Sequence, residues 1–150
     1  MFYNLDFCAY NSGYQQLLKM KKYIVLKLIG LALLAMIILI IISILEVTLY
    51  SYVINPGEAV SVYEAHATVS APYVSGSCGF ILFFLIARHW KKKEFHNVLT
   101  LIILFPLTYV VLDLVVILLA GVQWSSFILT YTLANGAKFI GSYLGYKLTK

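Results

Sequence analysis

Hydrophobic residues fall along this chain in four stretches, each long enough to cross a bilayer, and the polar residues within them are unevenly placed. A helix rises about 1.5 Å per residue, so roughly 20 residues traverse the ~30 Å hydrocarbon core. The pattern predicts crossings over about 23–49, 71–88, 97–120 and 124–146. Residues 1–22 read as a cytoplasmic tail with neither helical nor strand period, 50–70 as an outer loop and 88–96 as a basic inner loop, with a short cytoplasmic tail at the end. The predicted fold is an all-α membrane protein, a four-transmembrane-helix bundle with both termini inside.

The last stretch is the least hydrophobic and the most structured in its pattern. At 100° per residue, Tyr131, Asn135, Lys138 and Ser142 form a polar stripe. Beside it Thr130, Ala134, Ala137, Gly141 and Gly145 form a stripe of small residues, which lets helix backbones approach closely in lipid. A polar stripe cannot face acyl chains cheaply, so this helix is placed at the centre of the bundle. In the third stretch Pro106 interrupts the hydrogen-bond ladder and frees the carbonyl of Ile102. Tyr109 and Asp113 follow on the same face, with Asp113 deep in apolar sequence. The connection Gly121-Val122-Gln123 is short, so the third and fourth helices are antiparallel neighbours. That puts Asp113 about 10 Å and Lys138 about 20 Å below the loop, an offset that Tyr131, Asn135 or water would have to bridge. Structural pairing and a proton or solute relay are the two readings of these charges.

The second stretch has a small, polar outer half, Ser70 to Gly79, and a bulky inner half, Phe80 to Ala87. Ser70 would cap it, Pro72 would sit in its first turn, and Ser75 with Gly79 would form a helix-packing pair. The Phe-rich half is expected to face lipid. The first stretch is apolar all round between Leu31 and Leu45 except for Ser43, and lacks a cleavage site, so it reads as a retained anchor. Lys27 would snorkel to the inner interface, and Glu46 would meet water at the outer end. Met20-Lys21-Lys22 before an apolar run also has the form of a translation start. In the outer loop Asn55-Pro56-Gly57 is a turn signal. A short interfacial helix after it is compatible with the pattern, and Glu58, Glu64 and His66 read as a solvated cluster, not a metal site.

Composition supports the membrane reading: 62% of residues are hydrophobic, 11% are charged, and mean hydropathy is +0.91. The net charge of +5 does not indicate nucleic acid, because nine of the eleven Lys/Arg residues lie at the ends of apolar runs, the exceptions being Lys27 and Lys138. Arg88, Lys91, Lys92 and Lys93 form the most basic segment, a topology signal that would also attract anionic headgroups; His89 and His96 flank it as interfacial residues. Cys8 and Cys78 suggest no disulfide and no metal site. No phosphate loop, HExxH or GxSxG motif is present, so neither an enzyme nor a cofactor is expected. In size and helix count the chain is similar to small multidrug transporters and small four-helix flippase-like proteins. The acid that marks the first helix of the former has no counterpart among Ile37 to Ile42. Two functions fit: handling of a small or lipid-like solute as an oligomer, or a non-catalytic accessory or immunity-type binding protein. The bilayer itself and a homodimer or membrane-protein partner are the expected contacts.

Overall fold

The computed structural model describes the backbone of residues 4–94, 97–121 and 124–149, and the side chains of residues 23–94, 97–121 and 127–149. His96, the Val122-Gln123 part of the last connection and the side chain of Cys8 lie outside these described residues. The described residues form four α-helices: α1 (Asn4–Leu49), α2 (Val60–Lys92), α3 (Val98–Leu119) and α4 (Trp124–Lys147). Residues Tyr50–Ile54 continue α1 as a π-helical turn. Within the described residues three spans are long and apolar enough to cross a membrane: Tyr23–Ile54, Val60–Lys92 and Val98–Leu119.

Two boundaries differ from the pattern-based reading. The segment before residue 23 is not structureless, since α1 is helical from Asn4 onward. Leu17, Leu18, Lys19 and Met20 are good helix formers, and extending an existing helix needs no new nucleus. The connection between α1 and α2 is also much shorter than the expected loop over 50–70. The chain turns at Asn55-Pro56-Gly57, where Gly57 takes φ +85°, and α2 starts at Val60. It then runs straight through Pro72 for 33 residues, about 50 Å, longer than a hydrocarbon core. Ser70 therefore caps nothing. Its hydroxyl donates instead to Glu46 Oε2 on α1 at 2.8 Å, one of the contacts that tie the first part of α2 to its neighbour.

The helix order in space differs as well. α2 and α3 each pack against all the other helices, while α1 and α4 lie on opposite sides of them. α4 is thus a flank of the bundle and not its centre. A small-residue stripe brings one close partner, and here that partner is α2. On the far side, Leu28, Ala32, Ala35, Met36 and Leu39 of α1 bury a helical stripe against Phe83, Phe105 and Tyr109. Phe83 stacks on Phe105 at 4.5 Å between ring centroids and meets Tyr109 edge-on at 5.3 Å; Trp90 closes the column against Phe105 at 5.4 Å. Phe83 is fully buried, so the expectation that the Phe-rich half of α2 faces lipid is wrong for its central residue. Ile81 and Leu85, on the opposite side of the helix, do face outward.

Candidate functional site

The polar stripe of α4 turns inward, against α2 and α3. Asn135, Lys138 and Ser142 are buried, and Lys138 has 0% exposure. Glycine on α2 makes this burial geometrically feasible: the Lys138 side chain lies over Gly79, where an added Cβ would come within 2.8 Å of its Cε. The ammonium donates to Ser75 Oγ at 2.9 Å and to Asn135 Oδ1 at 3.1 Å. It also stands 4.5 Å from the centroid of the Tyr109 ring, a cation–π contact with a desolvated cation. Asn135 in turn donates to the Tyr131 carbonyl at 3.1 Å, and the Tyr131 hydroxyl donates to the Val110 carbonyl at 3.1 Å.

Asp113 is half-buried and lies within electrostatic reach of Asn135 and Lys138. It makes no direct ion pair with the lysine: among the described residues the one pair within 4 Å is His66–Glu46. Asn135, which accepts from Lys138, also neighbours Asp113 and places a neutral dipole between the two charges. Among the described residues, no buried side-chain nitrogen or oxygen lacks a hydrogen-bond partner. The cluster is therefore satisfied as it stands, which is what a polar group needs when it leaves water.

Pro106 is buried in the middle of α3, and its consequence is visible one turn earlier. The carbonyl of Ile102, left without its intrahelical donor, accepts from Ser142 Oγ at 2.9 Å. Proline on one helix and serine on the next thus form a matched pair across the α3–α4 interface. The small stripe is used just as directly. A Cβ on Gly141 would fall onto the carbonyl oxygen of Phe80, and one on Gly145 onto that of Phe84. Gly76 meets the Cα of Ala134 at 3.4 Å from its would-be Cβ. Gly141 and Gly145 are covered by α2, so an external partner has no access to them. Ala137 lies at the edge of the same seam, half-buried.

A second polar cluster escaped the sequence reading. His66 Nε2 sits 2.7 Å from Glu46 Oε1, and the His66 ring stacks on Tyr50 with centroids 3.6 Å apart. Tyr63 pins the turn by donating to the Asn55 carbonyl and accepting from the Glu58 amide, both at 2.9 Å. Glu46 is thus held by His66 and Ser70 instead of standing free at the interface, while Glu58 and Glu64 remain exposed. The missed signal was symmetry about the turn, because Glu46 and His66 are equally far in sequence from Pro56 and must meet in an antiparallel hairpin. At the other end Arg88, Lys92 and Lys93 are exposed, and Lys91 lies 4.9 Å from the Tyr146 ring centroid.

Among the described residues, two grooves open on the outside of the bundle. One, of about 500 Å³, follows the α2–α4 seam past Pro72, Tyr73, Leu129 and Leu133. The other, of about 680 Å³, lies between the middle of α1, from Tyr23 to Leu34, and the facing ends of α2 and α3. Neither is lined by Lys138 or Asp113. No protein-family model, curated protein or solved structure matches the chain.

Proposed function

We propose that this chain is a small polytopic protein of the cytoplasmic membrane that crosses it four times with both termini inside. In this reading it handles a small or lipid-like solute, as an oligomer and without covalent chemistry. The orientation rests on the Lys/Arg residues flanking the apolar runs, and on the connections at the opposite end, which carry none. α4 counts as the fourth crossing because its 24 residues match α3 in length and Asn135, Lys138 and Ser142 are turned inward.

The observation that carries the solute reading is Lys138. A lysine enclosed at membrane depth is costly and is retained where an ion or substrate pathway uses it. Here it sits among Ser75, Asn135 and Tyr109, with Asp113 one dipole away. Four helices are few for enclosing a path, which is why the reading includes an oligomer. The second reading, an accessory or immunity-type binding protein, draws on a different observation: neither groove is lined by Lys138, as expected if the charges only hold the helices together.

Proteoliposomes separate the two. Proton flux is followed with an entrapped pH dye, and transbilayer movement is followed with a fluorescent phospholipid. The solute reading expects one of these signals in the wild type and its loss in Lys138→Met and Asp113→Asn, with both variants still folded. A wild type silent in both assays removes the solute reading for these two cargos and leaves the binding role.

A further inference from the structure

The larger groove has features that the polar cluster does not explain. It runs along α1 from Tyr23 to Leu34, about 16 Å of helix, or half of a ~30 Å hydrocarbon core. Its length is that of one leaflet. Leu34 and Leu101 line its apolar depth, and the half-buried Trp90 forms part of its wall. Gly30 leaves room inside it, since a Cβ added there would meet nothing within 4 Å. Tyr23 and Trp90 are amphipathic rings suited to the level of lipid headgroups.

Lys27 lines the same groove, exposed, with its ammonium 4.7 Å from the Tyr23 ring centroid. It has no carboxylate partner among the described residues. The facing end of α2 adds Arg88, Lys91, Lys92 and Lys93 to the local field, against Glu94. An apolar slot one leaflet deep, open to the side, with cations at one end that have no carboxylate partner among the described residues, is complementary to an anionic amphiphile.

We propose that this groove is a binding site for one anionic phospholipid of the leaflet on the basic side, its acyl chain lying along Gly30 and Leu34 and its phosphate held by Lys27. The inference rests on the membrane reading above but not on solute movement. It assigns a function to Lys27 and to a glycine with no packing role.

The test uses the full chain, reconstituted and then released into mild detergent for native mass spectrometry. The probes are phosphatidylglycerol and phosphatidylcholine with identical chains, mixed in equal amounts. The wild type is expected to retain one phosphatidylglycerol in preference to phosphatidylcholine. Gly30→Phe fills the slot and is expected to abolish retention while melting like the wild type. Lys27→Gln leaves the slot open and is expected to reduce the headgroup preference about fivefold. Equal retention of the two lipids, or retention unchanged in Gly30→Phe, overturns the proposal. A dimer that dissociates in Gly30→Phe and carries no lipid places a second copy in the groove and overturns it too. Liposome flotation separates the levels: a chain that fails to float removes the membrane reading and the lipid site together, whereas one that floats without lipid preference removes the site alone.

Discussion

α1 and α4 bury residues at the same five-position spacing with opposite chemistry. On α1 the buried positions are Leu28, Ala32, Ala35, Met36 and Leu39; on α4 the matching buried positions are Ala134, Lys138, Gly141, Ser142 and Gly145, with Asn135 buried beside them. Each set occupies positions i, i+4, i+7, i+8 and i+11, one stripe of a helix. The first fills space with hydrocarbon against an aromatic column. The second removes side chains so that α2 can approach, and spends the remaining room on hydrogen bonds. In lipid there is little hydrophobic drive between helices, so packing contact and polar bonds decide association. On that basis the α2–α4 seam should tolerate substitution least, although hydropathy ranks α4 lowest.

The most direct way to break the comparison is at Gly141, whose α1 counterpart is Ala35. A leucine there meets backbone, which cannot rotate away, and is expected to cost about 3 kcal/mol or more in reversible unfolding from mixed micelles. A variant as stable as the wild type would mean that α2 and α4 are not in contact. Next is Phe83→Ala on the apolar side, where truncation leaves a cavity among three helices. Lipid offers no hydration gain to lose, so the cost should be roughly 2 kcal/mol, below the value for a water-soluble core. A smaller effect belongs to Ser142→Ala, which strips one hydrogen bond from Ile102 and should cost about 0.6 kcal/mol. Met36→Leu, the corresponding change on α1, should move stability less still, because it conserves volume. If Met36→Leu proved the more damaging, the ranking of the two seams would be reversed.

How much of this could be read beforehand depended on whether a residue's partner was implied by chemistry. Pro106 had to free the carbonyl of Ile102, and an inward polar stripe on α4 followed from the cost of turning polar side chains to acyl chains. That Ser142 would be the donor was not legible, because a stripe gives a face and not a height. Phe83 was assigned to lipid because an aromatic residue is apolar whether its neighbour is an acyl chain or Phe105. Ser70 before Pro72 has the local form of a helix start, yet the same hydroxyl serves Glu46 across the hairpin. Local propensity and tertiary demand competed there, and the tertiary contact prevailed. Asp113, Asn135, Lys138, Tyr131 and Tyr109 lie on the facing helices α3 and α4, as their spacing implied. Their wiring was not legible, since Lys138 turns to Ser75 and Tyr109 instead of pairing directly with Asp113.

The lysine enclosed by α2 and α3 has a consequence for how the chain is made. On the four-crossing reading α4 leaves the ribosome after α1, α2 and α3, and a central lysine costs about 3 kcal/mol when a helix partitions alone from the translocon into lipid. The groups that offset this penalty, Ser75 and the Tyr109 ring, belong to helices synthesised earlier. α4 would then enter the bilayer as a passenger on a template already in place. The order of synthesis would thereby become part of the folding instructions, with the late, weakly apolar helix depending on the early ones to hold its position.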